Sequence, residues 1–152
     1  MNKTWEEFVK DINHLIEMMK GWRPDIIAPS MVGGLIPAGI VSEKLKVKDV
    51  RPISIERIGD ERRLGYDIQG EISGKSVLLL EDDLPTGKGF IFAKKVLEKR
   101  GAKVKIAAVY VNSVSKSLAD FYGDFLDPLP NLPWKPARSG DRVVSKRSVK
   151  PL

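Results

Sequence analysis

The sequence contains no cysteine and only one histidine, His14, among its 152 residues. The lack of cysteine excludes disulfide bonds and thiolate metal ligands, and a single histidine excludes a multi-histidine metal site. No apolar run reaches the length of about 20 residues that a membrane-spanning helix needs, and the N-terminus lacks the pattern of a signal peptide. The sequence therefore predicts a cytoplasmic protein with no membrane segment.

Positive charge is concentrated at the C-terminus. The chain carries a formal net charge of +6 and is 42% hydrophobic, which is normal for one domain with a proper core. Residues 135–152 hold six basic residues and one acidic residue. Such an end can bind nucleic acid or a phosphorylated ligand. We favour a weakly structured, solvated tail over residues 138–152, so no nucleic-acid partner is expected.

The most informative stretch is 75–89, where a strand, three acids and a glycine loop follow one another. The apolar residues 77–80 are typical of a strand buried on both faces. The acids are Glu81, Asp82 and Asp83, the loop consists of Leu84, Pro85, Thr86, Gly87, Lys88 and Gly89, and a helical pattern runs from 90 to 100. Free loop amides and a helix N-terminus bind anions, and Lys88 adds a positive charge. The neighbouring carboxylates suit sugar hydroxyls or a hydrated Mg²⁺ ion.

Acids at the end of a strand also occur in Walker B segments and in receiver domains. The chain contains no Gly-x-x-x-x-Gly-Lys-Ser/Thr sequence, which argues against a P-loop nucleotide site.

A second strand–loop–helix unit precedes the first. A short apolar strand at 25–28 leads into a loop of Ser30, Met31, Val32, Gly33 and Gly34, and a helical pattern begins at Leu35. An ordinary glycine turn before a packed helix is the alternative interpretation. Two such units in one chain make a pair of anion-binding loops the better interpretation.

The alternation of strands and helices predicts an α/β fold with a parallel, twisted sheet flanked by helices. Further strands are predicted at 50–56, 66–72 and 103–112, whereas 113–127 reads as irregular. The charged, glycine-flanked segment 57–65 is either a mobile loop or an exposed hairpin tip. Thr4 and Glu7 form a capping box before an amphipathic helix, in which Trp5 is expected to face the core.

The stretch 77–89 resembles the phosphoribosyl pyrophosphate (PRPP) motif of type I phosphoribosyltransferases, in which four apolar residues precede two acids and a Thr-Gly loop. The Gly-Gly-Leu-Ile-Pro sequence at 33–37 resembles that family's pyrophosphate-binding loop. The proline-rich stretch 127–136 resembles the hood of xanthine-guanine phosphoribosyltransferases, where a Pro-Trp pair lies near the base. The resemblance extends over about residues 5–138.

The resemblance implies an enzyme that transfers the 5-phosphoribosyl group of PRPP to a purine-like base with release of pyrophosphate. It implies a domain at 1–137 with a small C-terminal hood at 113–137, Mg²⁺ as cofactor, and a homodimer. Glu81 and Asp82 would hold the ribose hydroxyls, directly or through Mg²⁺, and act as the catalytic and metal residues. Leu84 to Gly89 would hold the 5′-phosphate, Ser30 to Gly34 the pyrophosphate, and Asn112 and Trp134 the base.

The sequence departs from that family's pattern in four respects. Pro85 stands where 6-oxopurine enzymes have an aspartate, and Asn112 stands where they have a lysine that reads the purine 6-oxygen. Met31 and Val32 replace the usual cation of the pyrophosphate loop, and Gly89 replaces a Ser or Thr. Two hypotheses follow: a phosphoribosyltransferase for a purine-like base, or a non-catalytic PRPP- or nucleotide-binding sensor or partner protein of the same fold.

Overall fold

In the computed structural model, which describes residues 1–135, three α-helices surround a parallel sheet. The elements in chain order are α1 (Trp5–Met18), β1 (Ile26–Pro29), α2 (Leu35–Leu45), β2 (Ser54–Ile58), β3 (Glu61–Tyr66), β4 (Ser76–Leu84), α3 (Lys88–Lys99), β5 (Lys103–Val111), a 3₁₀ helix (Lys116–Leu118) and β6 (Phe121–Phe125). The predicted tail at 138–152 and the last two residues of the predicted hood lie outside the described range.

The central sheet has the strand order β1-β4-β5-β6, and all three pairings are parallel. Strands β4 and β5 are joined by α3, so the carboxyl ends of the strands meet at one edge. Residues 50–53 run beside β1 through isolated bridges at Ile27–Val50 and Ser30–Ile53. The predicted α/β architecture is confirmed.

The side chains on the two faces of β4 pack into two separate hydrophobic cores. Leu78 and Leu80 pack with α1 and α2 on one face, while Val77 and Leu79 pack with α3 on the other. All four are completely buried, because successive side chains of a strand point to opposite faces. The same alternation continues into the acidic end of β4 and decides where each carboxylate points.

The capping box of α1 is confirmed: Thr4 Oγ1 accepts the Glu7 amide, and Glu7 Oε2 accepts the Thr4 amide. Trp5 was expected in the core, but 53% of it is exposed. It lies in the first turn of α1, where it contacts Phe8 and Trp134 at the rim of the core.

Among residues 1–135, no helix combines the length and the hydropathy that crossing a bilayer requires.

The segment 50–72 differs from the prediction in its strand boundaries. An antiparallel hairpin of β2 and β3 encloses the tip at Gly59 and Asp60, so the hairpin interpretation of 57–65 matches this structure. The returning strand is Glu61–Tyr66 rather than 66–72, because its residues pair with β2 across a short tip.

Residues 113–127 are not irregular throughout, since they contain a 3₁₀ helix and β6, which pairs with β5.

Candidate active site

A cleft of about 280 Å³ opens at the carboxyl end of β4. It lies between the loop after β1, the loop after β4 and the β2–β3 hairpin. Its walls are formed by Ser30, Ile55, Arg57, Arg62, Glu81, Asp83, Leu84, Pro85, Thr86, Gly87, Gly89 and Phe90. The structure thus brings residues of both predicted anion loops and one of the two predicted catalytic acids into one site.

The three acids of β4 point in different directions. Glu81 and Asp83 line the cleft, whereas Asp82 is completely buried on the face shared with α1 and α2. The strand continues through all three acids because Glu81 and Asp83 stay in register with Ala108 and Tyr110 of β5. Since side chains alternate along a strand, Glu81 and Asp83 share a face and Asp82 takes the other.

Burial and the neighbouring charge of Asp82 raise the pKa of Glu81 to about 8. Hydrogen bonds from the Ser30 side chain and the Asp82 amide oppose this shift. Below that pH the carboxyl group of the free protein is largely protonated. Glu81 can therefore donate a hydrogen bond as well as accept one near neutral pH.

The raised pKa of Glu81 predicts a pH-dependent stability in metal-free buffer. Between the unfolded pKa of 4.5 and the folded value of about 8, folding takes up a proton, so this contribution to stability is complete below pH 4.5 and is lost as pH rises through 8. The Glu81→Gln variant lacks this group. We expect its melting temperature, relative to that of the wild type, to rise by several degrees between pH 5 and pH 9.

Glu43→Gln is the matched control for that comparison, because the Glu43 side chain on α2 is 83% exposed. Its melting temperature should follow that of the wild type at every pH. Equal pH profiles for Glu81→Gln and the wild type would show that Glu81 titrates normally.

Asp82 is held by the C-terminal end of the described chain. Lys135 Nζ lies 2.6 Å from Asp82 Oδ1 and 3.4 Å from Asp83 Oδ1, and the Trp134 indole N–H donates to Asp82 Oδ2 at 3.0 Å. The Asp83 amide also donates to Asp82 Oδ1, at 2.7 Å. Burial lowers the pKa of Lys135, but the hydrogen bond and charges of these acids outweigh it and keep the pKa above its usual value. We call this contact the hood lock (Asp82, Trp134 and Lys135).

The predicted 5′-phosphate loop connects β4 to α3. Leu84 is buried at the end of β4, Pro85 and Thr86 are exposed, and Gly87 caps α3 with a φ of +74°, which favours glycine. The first amides of α3 have no partner within the helix, so they point toward the loop. Thr86 and Lys88 are exposed at this helix N-terminus, a kind of end that can bind an anion, and the loop's role toward a phosphate stays a prediction.

The predicted pyrophosphate loop follows β1. The amides of Ser30 and Met31 donate to Leu80 and Ile53, and that of Gly34 to Ser30. The amides of Val32 and Gly33 are left as candidate anion donors, and the peptide bond between Met31 and Val32 is cis. Val32 itself is 73% exposed. No side-chain cation lies in this loop, as the sequence indicated.

Two arginines of the hairpin were not among the predicted site residues. Arg57 and Arg62 both line the cleft and lie directly opposite each other in the β2–β3 ladder. The sequence signal was present in the charged segment 57–65. What the sequence could not give was the fold of the hairpin over the loop after β4, since that contact joins distant parts of the chain.

The two predicted base-binding residues both make contacts within the protein. Asn112 lies just beyond β5 and uses its side chain in hydrogen bonds to Pro85, Val114 and Ser115. Trp134 packs at 4.3 Å between ring centroids on Phe8 and at 5.2 Å on Trp5. Their roles toward a base remain predictions.

Whether the site can hold Mg²⁺ depends on the number and position of its carboxylates. Among the described residues, no group of three or more acidic, His or Cys side chains could hold a metal ion. Mg²⁺ keeps several waters and binds through one or two carboxylates together with substrate phosphates. Glu81 faces the cleft and fits such a role, whereas Asp82 would first have to exchange Lys135 for the ion.

A parallel sheet with two strand–loop–helix connections at its carboxyl edge defines a class of α/β proteins that bind their ligands at that edge. The family model of the phosphoribosyl transferase domain matches residues 3–137. The chain therefore belongs to the phosphoribosyltransferase family.

Three proteins of known sequence or structure are similar to this chain over different lengths. The crystal structure of a purine phosphoribosyltransferase from Pyrococcus horikoshii Ot3 has a TM-score of 0.83 and 25% identity, over 93% of this chain and 97% of the other. A xanthine-guanine phosphoribosyltransferase from Idiomarina loihiensis is 29% identical over 86% of this chain and 84% of its own. A putative ribose-phosphate pyrophosphokinase 2 from Streptococcus agalactiae is 37% identical over 59% of this chain, but the match spans only 25% of that protein.

Proposed function

We propose that the protein transfers the 5-phosphoribosyl group of PRPP to a purine-like base and releases pyrophosphate. The observation that carries this proposal is the single cleft in which Ser30, Glu81 and the loop around Gly87 come together. A ligand with phosphate groups at both ends and a sugar between them matches two anion loops separated by carboxylates. The similarity to purine phosphoribosyltransferases supports a purine-like acceptor.

Each part of the cleft has a defined task in this proposal. The α3 N-terminus and the loop 84–89 bind the 5′-phosphate, and the amides of Val32 and Gly33 bind the diphosphate. Glu81 exchanges hydrogen bonds with the ribose hydroxyls. In its ionised form, which a nearby cation favours, it would stabilise the positive charge that develops on the ribose ring. Positioning and electrostatics are sufficient for this reaction, so no nucleophilic side chain is needed.

Mg²⁺ fits the proposal as cofactor, and its charge would stabilise the departing diphosphate. Glu81 would help to hold the ion in the cleft. Asp82, the second predicted metal and ribose residue, would take part only after the hood lock has opened. The proposed setting is the cytoplasm, and a homodimer is proposed from the family resemblance.

The two hairpin arginines supply the positive charge that the pyrophosphate loop lacks. Like charges placed directly opposite each other destabilise an antiparallel ladder. The Arg57 guanidinium lies 3.6 Å from Asp60 Oδ1 and donates to the Gly59 oxygen at 2.9 Å, so the hairpin tip already offsets part of this repulsion. An anion bound in the cleft would offset the rest. By contrast, the neighbouring pair of Glu56 and Arg63 is an ordinary ion pair, with 3.0 Å between its charged atoms.

The Arg62→Gln variant is expected to bind PRPP about 10- to 100-fold more weakly, the loss that follows from removing one charge-assisted hydrogen bond. Titration calorimetry with PRPP and Mg²⁺ measures this change. The matched control is Arg63→Gln, which removes the neighbouring charge on the same strand outside the cleft and should keep the Kd within twofold. Equal losses in both variants would mean that only the overall charge of the hairpin matters.

The activity is tested by incubating the protein with PRPP, Mg²⁺ and a pool of purine and pyrimidine bases, followed by mass spectrometry. The expected product is a nucleotide whose mass identifies the base. The Glu81→Ala, Asp82→Ala double variant is the control for the assigned site. Undiminished product formation by that variant would show that the site is elsewhere.

A non-catalytic PRPP- or nucleotide-binding role is a second candidate. It is favoured by the engagement of Asp82 in the hood lock and by the absence of a side-chain base at Pro85. Stabilisation of the protein by PRPP and Mg²⁺ without any product would select this candidate over the enzyme.

A further inference from the structure

The side chain of Asn112 makes four hydrogen bonds within the protein. Its Oδ1 accepts the amides of Val114 and Ser115 at 3.0 and 3.1 Å, and it also accepts the Ser115 hydroxyl at 3.2 Å. Its Nδ2 donates to the main-chain oxygen of Pro85 at 3.1 Å. One end of the amide thus closes the turn after β5, and the other end reaches the loop after β4.

The turn that Asn112 closes is also attached to the hood. The Ser113 amide donates to Asp127 Oδ2 at 3.1 Å, and the Ser113 hydroxyl makes a second hydrogen bond to the same carboxylate. These hydrogen bonds lower the pKa of Asp127. Contacts therefore run without interruption from the loop after β4, through Asn112 and Ser113, to Asp127.

The contact with the Pro85 oxygen has a consequence for the next amide. The peptide group is planar and trans, so its carbonyl oxygen and the following N–H point in opposite directions. By fixing the oxygen of Pro85, Asn112 also fixes the direction of the Thr86 N–H. Thr86 lines the cleft, and its amide is one of the loop donors available to a phosphate.

We propose that Asn112 is a positioning residue for the 5′-phosphate loop and not a reader of the base. This inference rests on the proposed function and assigns a different task to position 112. The amide oxygen accepts three hydrogen bonds and one N–H is held by Pro85, so a single N–H remains, and the turn and the loop already fix its direction. Base selection then depends on other groups around the turn and the hood, while Asn112 sets the geometry of the phosphate end.

Two variants distinguish the turn from the hydrogen bond between Asn112 Nδ2 and the Pro85 oxygen, which we call the bridge. Asn112→Asp keeps an oxygen that accepts the amides of Val114 and Ser115, but it loses the donor to Pro85. Ser115→Ala removes two hydrogen bonds of the turn, from the Ser115 hydroxyl to Asn112 Oδ1 and from the Asn112 main-chain amide to Ser115 Oγ, and leaves the bridge to Pro85 intact. The two proteins should therefore lose similar stability but differ at the loop after β4.

The first readout is hydrogen–deuterium exchange of peptides that cover residues 84–89 in the ligand-free protein. We expect about fivefold faster exchange in Asn112→Asp, the ratio that follows from losing one hydrogen bond, and little change in Ser115→Ala. This measurement does not need PRPP binding or turnover. Unchanged exchange in Asn112→Asp would overturn the proposed bridge even if the protein is an active phosphoribosyltransferase.

The second readout is PRPP binding and the kinetics with the base found in the product assay. Asn112→Asp should raise the Kd of PRPP about fivefold to tenfold and leave the KM of the base within twofold. The shift should persist at high salt, because an effect of the added charge alone would be screened. A raised KM for the base with unchanged PRPP binding would make Asn112 a base reader. A wild-type protein that binds no PRPP would refute the proposed function, while the exchange measurement would still decide the bridge.

Discussion

The Gly34→Ala variant is expected to bind PRPP at least about 100-fold more weakly than the wild type, because a shift of about 1 Å in a binding loop can have an effect of that size. A Cβ atom at position 34 would lie 2.2 Å from the Leu80 oxygen and 2.7 Å from the Ser30 nitrogen, and both of these are main-chain atoms. The backbone φ of Gly34 is −66°, so the effect is purely steric. The loop must move away from β4 and break the hydrogen bond between the Ser30 amide and Leu80.

The same clash should lower the free energy of unfolding by about 1–3 kcal/mol, as overpacking of a filled site does. Gly39→Ala is the matched control on the same helix, since nothing lies within 4 Å of a Cβ atom there. It should raise stability by about 0.5–1 kcal/mol through helix propensity and leave PRPP binding unchanged. Urea denaturation and calorimetry at a temperature where both variants are folded measure the two effects. Normal PRPP binding by Gly34→Ala would exclude the loop after β1 from the site.

Breaking the hood lock is the second large effect. The Lys135→Met variant should lose about 2–3 kcal/mol of stability, because it leaves the completely buried Asp82 without its cation. We place the loss below that of a fully buried pair because 35% of the Lys135 side chain is exposed. Urea denaturation gives the value directly.

A double-mutant cycle shows whether that loss belongs to the pair. Asp82→Asn combined with Lys135→Met should be more stable than the sum of the single changes predicts, by about 1 kcal/mol or more. Lys94→Met is the control, since it breaks an exposed pair with Glu98 at 3.7 Å and should change stability by less than about 0.5 kcal/mol. If the stability losses of the two single variants simply add, Lys135 and Asp82 do not stabilise the protein through their mutual contact.

The sequence predicted those parts of the site that depend on local order along the chain. Each predicted anion loop lies between a strand and a helix that follow one another in the chain, and both loops lie at the carboxyl edge where parallel strands place them. The parallel sheet followed from the same alternation. The position of β6 did not, because Phe121–Phe125 carries Gly and Asp and forms a strand only by pairing with the preformed edge of β5.

The remaining parts of the site depend on contacts between distant residues. Lys135 meets Asp82 across 53 positions of sequence, and no local pattern marks either residue as the partner of the other. The direction of Asp82 likewise depends on how far β4 continues, which is decided by its ladder with β5. The hairpin arginines enter the cleft for a similar reason, since the charge pattern of 57–65 was visible but its place in the fold was not.

The hood lock also sets up a competition between the protein's own chain and an incoming sugar. Any ligand that needs the Asp82 carboxylate must first displace the Lys135 ammonium, so the free energy of that ion pair is subtracted from the affinity for the ligand. Each 1.4 kcal/mol or so of such an internal contact weakens the apparent affinity about tenfold. By the reciprocity of linked equilibria, a ligand bound to the Asp82 carboxylate would in turn weaken the contact between Asp82 and Lys135.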